Sequence, residues 1–469
     1  MLFSKFYKQV GLIFVSLVLV GCVKAADSIP PLRPTNATDA VALGATLIVS
    51  PEPQKAMAET TPTSLLEGSP PTTPVFGRTY HTADGTRYVS GRGGLPEVRP
   101  LDIPLAGEPH WVVAAPGEAG SIWVVVLMDG RVQAFSVNGS GYEEIAVTPD
   151  RLPPGMPPLL KVGGSAPMLV TAPLDDASPL THPVVVGGDG ARIAYIAKNG
   201  DVVIWDGKEI GRLPVNALPD ARILVDESSR LLMLTDPTRR YDHGVLGDDL
   251  EAAGIALIET QPSLQVVSQI QIPQPAVIEG IAPIWSDINA DGMREIILTR
   301  STPSRGAQIV VFSEMGEEVA AGPSIGRGYR WRNQLALAPF GPNGGLELVD
   351  VLTPHLTGVV EFYQLHAERL DVVAGVPGYT SHVIGTRNLD MALAGDFDGD
   401  GSVEVLLPGQ SLTELGSIRR TGDGAEAVWS VPIDGILTTN LAAVSFPDGG
   451  IAVGLGRSDG VLRVWLPDR

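Results

Sequence analysis

The stretch RIAYIAKNGDVVIWDG, Arg192–Gly207, holds two apolar runs on either side of Lys198, Asn199 and Gly200. Asn-Gly between such runs is the chemistry of a tight β-hairpin, because the glycine accepts the positive φ that the turn needs. IWVVVLMDGRVQAFSV from Ile122 and VGLGRSDGVLRVWLP from Val453 have the same form, with Asp-Gly at the turn. The second strand of each hairpin is a glycine followed by an alternating apolar run, and this unit recurs along the chain. It stands at Gly130 (GRVQAF), Gly200 (GDVVIW), Gly254 (GIALIE), Gly306 (GAQIVVF), Gly358 (GVVEFY), Gly416 (GSIRR) and Gly460 (GVLRVW). Successive spacings of 70, 54, 52, 52, 58 and 44 residues match one four-stranded sheet plus its loops.

A sheet of that kind cannot cover its own faces, so the copies are expected to stack around an axis. The expected fold is all-β, a seven-bladed β-propeller over residues 76–469. Phe135, Trp205, Tyr363 and Trp465 each stand five residues after a repeat glycine and are expected to pack between neighbouring blades. The last repeat ends within a few residues of its Gly460 strand. A fourth strand for it is therefore expected from EVRPLDIPL, Glu97–Leu105, which would join the ends of the folded region and remove an exposed sheet edge.

Two loops concentrate acids. DFDGDGSVEVLLPG, Asp396–Gly409, has Asp396, Asp398, Asp400, Gly401 and Glu404 at the same offsets as Asp287, Asn289, Asp291, Gly292 and Glu295 of DINADGMREIILTR. Oxygen ligands at positions 1, 3 and 5, a turn glycine at 6, a main-chain carbonyl at 7 (Met293 or Ser402) and a carboxylate at 9 suit one hard cation such as calcium. An EF-hand needs a glutamate at position 12, where Leu298 and Leu407 stand inside apolar runs. A simple Asx-turn is the plainer alternative, although three carboxylates in one tight turn repel one another unless a cation neutralises them.

The loop pattern resembles the calcium loops of FG-GAP or VCBS repeats, found in the propellers of integrin α-chains and of many bacterial secreted proteins. The resemblance implies two structural calcium ions and no catalysis at these loops. The chain departs from the family in its fifth repeat, where Pro339, Gly341 and Asn343 of PFGPNGGLE replace the ligands and no metal is expected.

The opening MLFSKFYKQVGLIFVSLVLVGC has Lys5 and Lys8, then an apolar stretch too short to span a bilayer with margin. Its end, Leu19-Val20-Gly21-Cys22, resembles the bacterial lipobox, and Cys22 is the single cysteine of the chain. Residues 1–21 are expected to be a lipoprotein signal peptide and Cys22 the lipidated first residue. Val23 rather than Asp follows it, which favours the outer membrane in a Gram-negative cell. Residues 22–75, rich in Pro, Thr, Ser and Ala, have no sustained period and are expected to form a disordered tether.

The formal net charge is −20, which repels phosphate backbones and anionic headgroups, so neither nucleic acid nor a lipid surface is expected as a partner beyond the anchor. The seven histidines are scattered, and no nucleophile elbow or His-Glu-x-x-His motif occurs. The longest polar insertion, Asp236–Gly254, carries Tyr241, Asp242, His243, Asp248 and Asp249. It reads either as an ordinary surface loop or as a recognition loop or second metal contact. The expected function is a monomeric, lipid-anchored binding scaffold for an envelope protein or glycan. A propeller enzyme of polysaccharide lyase or quinoprotein type and an outer-membrane assembly factor are the alternatives.

Overall fold

The computed structural model describes residues 74–79, 87–163, 166–187 and 192–467. The signal peptide, Cys22 and nearly all of the tether lie outside the described residues. The described chain is all-β apart from one short turn of 3-10 helix at Pro342–Gly344, and none of it forms a helix long and apolar enough to cross a membrane.

Six antiparallel four-stranded meanders and a seventh sheet follow one another among the described residues. Sheet I comprises Pro109–Gly117, Gly120–Leu127, Val132–Asn138 and Gly141–Ile145; sheet II comprises Val184–Val186, Arg192–Ile196, Asp201–Trp205 and Glu209–Pro214. Sheet III is built from Leu224–Val225, Leu231–Thr238, Glu251–Glu259 and Gln265–Gln271; sheet IV from Ile284–Ser286, Glu295–Thr302, Gly306–Ser313 and Glu318–Ala321. Sheet V takes Arg332–Ala338, Glu347–Leu352, Val359–His366 and Arg369–Pro377, and sheet VI takes Leu393–Asp396, Glu404–Pro408, Glu414–Thr421 and Gly424–Pro432. Sheet VII has three consecutive strands, Ala442–Ser445, Ile451–Arg457 and Val461–Trp465, and its fourth is Pro100–Pro104.

Every repeat glycine therefore stands in the turn just before the third strand of the repeat (Gly130, Gly200, Gly358, Gly460) or within that strand (Gly254, Gly306, Gly416). Five of them, Gly130, Gly200, Gly306, Gly358 and Gly460, have positive φ, as a turn into that strand requires. The other two are there for room: a Cβ on Gly254 would meet Asp236 Oδ2 at 2.4 Å, and one on Gly416 would meet the Tyr379 ring at 2.4 Å.

The fourth strand of sheet VII lies where the sequence placed it. Pro100–Pro104 runs antiparallel to Val461–Trp465, with Asp102 opposite Arg463 and Ile103 opposite Leu462. Ile103 is fully buried among residues of sheets I and VII, including Val112, Phe135, Ala442 and Leu462. Adjacent sheets share apolar cores in chain order: II with III and IV, IV with V, V with VI, and VI with VII. A small sheet of Val75–Gly77, Leu160–Val162 and Met168–Leu169 packs on sheet I through Leu160 and Leu169. Phe135, Tyr363 and Trp465 are buried in these inter-sheet cores, and Trp205 packs against the core of sheet II.

One pairing was not expected. Tyr88–Arg92 lies parallel to Leu393–Asp396, the first strand of sheet VI. Just before it, the buried Arg87 guanidinium donates to the carbonyls of Thr79 (2.6 Å), Ala392 (3.0 Å), Asp390 (3.0 Å) and Leu441. Four carbonyls around one guanidinium tie this segment to sheets VI and VII. The segment then passes so close to Phe397 that a Cβ on Gly93 would lie 2.2 Å from its carbonyl oxygen.

Candidate functional site

In an antiparallel meander, connections between strands one and two leave one end of the sheet, and those between strands two and three leave the other. The connection from strand four to the next sheet leaves that second end too. Both acidic loops join first to second strands, in sheets IV and VI. The Asp236–Gly254 insertion joins second to third strands in sheet III, so it leaves by the opposite end.

The Asp396 loop closes on itself through its own side chains. Asp396 accepts from the Gly399 (2.7 Å) and Gly401 (3.0 Å) amides, Asp398 from Asp400 N (3.1 Å), and Asp400 from Ser402 N (2.8 Å). Glu404, fully buried, accepts from Phe397 N at 3.0 Å, and burial pushes its carboxyl up to about 8. One ligand oxygen from each of Asp396, Asp398, Asp400 and Glu404 lies within 4.8 Å of the others. This all-oxygen set, with a carboxylate at its floor, fits a hard cation such as calcium, which those four residues would hold.

A residue that the sequence did not single out already bears on the charge there. Arg419, opposite Glu404 on the third strand, contacts Asp398 Oδ2 (2.7 Å), Asp400 Oδ2 (2.6 Å) and Glu404 Oε1 (2.6 Å). Trp429 Nε1 also donates to Asp398 at 3.1 Å.

In the sister loop, Asp287 accepts from Asp291 N (3.1 Å) and Gly292 N (2.8 Å), Asp291 from Met293 N (2.8 Å), and Glu295 from Ile288 N (3.1 Å). The residue opposite Glu295 is Ser313, so no arginine corresponds to Arg419. Instead Asn289 Nδ2 donates to Asp291 Oδ2 and Glu295 Oε1, both at 3.0 Å. Burial pushes the Glu295 carboxyl above its ordinary range. In the fifth repeat Glu347 keeps the acidic position nine, and its carboxylate pairs with Arg420 at 2.7 Å.

At the other end, the insertion is anchored. Tyr241 is buried, Arg240 donates to the Ile272 and Ala276 carbonyls, Arg239 pairs with Asp249, and Val245 O accepts from Gly385 N at 2.8 Å. Arg387 bridges Asp220 (2.8 Å) and Asp248. Asp242 is exposed. His243 Nδ1 lies 2.6 Å from Glu279 Oε1, and Ser301 Oγ donates to the other Glu279 oxygen. Beside this group Tyr329 lies against Tyr241 and His243, while Trp331, His355 and His382 pack together. His355 Nε2 and His382 Nδ1 are 2.7 Å apart, and burial pushes both imidazoles down to about 4, so they are neutral near pH 7. Sequence reasoning missed this cluster because its members span residues 241–382 without a shared motif.

Glu251, at the start of the third strand, is buried and its carboxyl is pushed up to about 10 by burial, then by Glu279, Asp220 and Asp248. The folded protein holds a proton there at neutral pH, whereas the unfolded chain ionises near 4.5. Stability linked to this group is therefore present in acid and lost as pH rises from about 4.5 towards 10. Glu251→Gln carries no titrating proton, so urea titrations should show it gaining on the wild type steadily from about pH 5 to 9. Parallel profiles for the two proteins would count against a protonated Glu251.

No family model and no curated protein matches this chain. Among solved structures, a chain in the crystal structure of a mitotic checkpoint complex is similar to it at a TM-score of 0.40 and 11% identity, over 81% of this chain and 99% of that chain.

Proposed function

We propose that the protein is a seven-bladed β-propeller of the FG-GAP/VCBS kind, lipid-anchored in a bacterial envelope through Cys22, that serves as a calcium-stabilised binding module for an envelope protein or glycan. Seven sheets packed in chain order, with the last completed by a strand from the start of the folded region, support the closed ring. The observation that carries the binding reading is the loop end of the molecule. There an anchored insertion, exposed apolar side chains and buried carboxylates meet on a rigid frame, the setting in which loops recognise partners.

A tether of about 50 residues has a root-mean-square reach of about 40 Å, which clears the membrane surface and keeps the partner within the envelope. Cys22→Ser should move the protein from the membrane fraction to the soluble one, and mass spectrometry of the wild-type N-terminus should show a lipidated cysteine. An unchanged membrane fraction would sink the anchor. Cross-linking in intact cells should return a reproducible envelope partner. Turnover of a polysaccharide or an alcohol by the purified protein would replace the binding module with an enzyme.

A further inference from the structure

The parallel strand Tyr88–Arg92 presents a row of side chains to solvent. Its burial alternates, so that Tyr88, Ser90 and Arg92 stand exposed on one face while Val89 and Gly91 are half-buried. The strand is held from two sides. It pairs with Leu393–Asp396 of sheet VI, and on the side of sheet VII Ser445 Oγ donates to Ser90 O and Arg92 N donates to Gly449 O, both at 2.7 Å. Tyr88 and Arg92 are thereby fixed to a rigid frame.

Both side chains line one cavity of about 910 Å³, within the range of small-molecule sites. Its walls come from the 397–403 connection of sheet VI and the 446–450 connection of sheet VII, each joining a first strand to a second, so it lies at the end opposite the insertion. Glycines such as Gly93, Gly401 and Gly449 line it and keep those walls at backbone level. Tyr88 is 45% exposed, and its hydroxyl makes no hydrogen bond among the described residues. The Arg92 side chain is 74% exposed, and its one ionic contact, Asp396 Oδ2 at 3.9 Å, is beyond hydrogen-bond reach. Asp448, exposed at the rim, adds an acceptor; its Oδ1 takes the Gly450 amide at 3.1 Å. No leucine, isoleucine, methionine, phenylalanine or tryptophan lines the cavity.

We propose that this cavity binds a neutral oligosaccharide, with the Tyr88 ring under the C–H face of one sugar unit, Arg92 donating to sugar oxygens and Asp448 accepting from hydroxyls. One aromatic face beside an uncommitted donor and a carboxylate matches a ring that carries hydroxyl donors, oxygen acceptors and a C–H face together. A peptide would need an apolar pocket for its anchoring side chain, and the lining offers none. An anionic chain would meet Asp396 and Asp448 and a net charge of −20. Tyr88 and Arg92 are four residues apart, up to about 13 Å along a strand, which spans more than one sugar ring. The site is separate from the insertion and does not depend on it.

The test uses the full mature protein with calcium present and an array of immobilised neutral oligosaccharides of glucose, mannose, galactose and N-acetylglucosamine beside uronate- and sulfate-bearing ones of the same length. At least one neutral member should retain the wild type about tenfold or more above every anionic member, a difference of about 1.4 kcal/mol. Tyr88→Ser should lower that retention about tenfold through the lost ring face. Arg92→Gln, at an exposed position where folding is not at stake, should lower it about fivefold through lost hydrogen bonds while leaving the melting temperature unchanged. If Tyr88→Ser melts early, Arg92→Gln alone decides. Asp242→Asn, at the other end of the molecule, should change nothing; a loss of retention there would move the glycan to the insertion and overturn this site. Retention confined to anionic members overturns the neutral class. No retention on any member, or neutral retention untouched by Arg92→Gln, overturns the site. If cells yield a cross-linked envelope partner while the array stays bare, this site is removed and the binding module stands.

Discussion

Ile103→Ala is expected to destabilise the folded region by about 3 kcal/mol, and a chain begun after Pro104 is expected not to fold cooperatively. Ile103 is fully buried in the core shared by sheets I and VII, and truncating such a side chain to alanine costs about 2–5 kcal/mol through lost transfer free energy and the cavity left behind. Deleting the strand goes further, because it exposes the Val461–Trp465 edge and strips a charge network. Asp102 accepts from Arg463 Nε and Nη2, both at 2.7 Å, and from Arg457 Nη1 at 3.2 Å. Arg463 and Arg457 are buried residues; without Asp102 each keeps one other carboxylate, Asp434 and Asp459 respectively, but loses the partner that joins the two arginines. Denaturant titration measures the first effect; a loss smaller than about 0.5 kcal/mol would mean that the strand pairing does not hold the fold together.

That strand was legible in the sequence for a topological reason: six repeats had room for four strands, and the seventh ran out of chain after three. The hairpins were legible because their cause is local, an Asp-Gly or Asn-Gly turn between alternating runs. Tyr88–Arg92 was not, since its sequence YVSGR has little apolar alternation and its partner, Leu393–Asp396, is some three hundred residues away. Its place is fixed by Arg87, three of whose four carbonyl acceptors, on Asp390, Ala392 and Leu441, lie some three hundred residues or more away. The acidic loops were legible residue by residue, but Arg419 was not, because its relation to Glu404 depends on register across two strands. The cluster of Tyr241, His243, Glu251, Glu279, Trp331, His355 and His382 lies in the same class. Tyr241 and His243 belong to the insertion that the sequence singles out, but the other members look ordinary in their own segments, and five connections leaving the same end bring them together.

The second large effect concerns the two acidic loops, and the difference between them makes it specific. An ion that binds the native state alone stabilises it by about 2.7 kcal/mol per site at a free concentration one hundred times Kd. Chelation should therefore lower the denaturation midpoint, and Glu295→Gln and Glu404→Gln should each remove part of that response. The loops should not bind equally. At Asp287–Glu295 a calcium ion would have to displace only a neutral Asn289 amide. At Asp396–Glu404 it has to expel the Arg419 guanidinium from Asp398, Asp400 and Glu404, giving up charge-assisted hydrogen bonds worth about 1.5–3 kcal/mol each. Two cations repel one another at contact distance on those oxygens, so the guanidinium would act as a built-in competitor. Calorimetry should accordingly resolve a tighter site lost in Glu295→Gln and a weaker one lost in Glu404→Gln. Arg419→Met should tighten the weaker site by about tenfold or more, since every 1.4 kcal/mol of competition removed is a factor of ten. Binding at the Asp396 loop that is unchanged by Arg419→Met would show that the guanidinium does not compete for it. If metal-free and calcium-loaded protein unfold at the same midpoint and no binding heat is seen, both loops are turns that hold their own carboxylates, with Arg419 and Asn289 as their permanent donors.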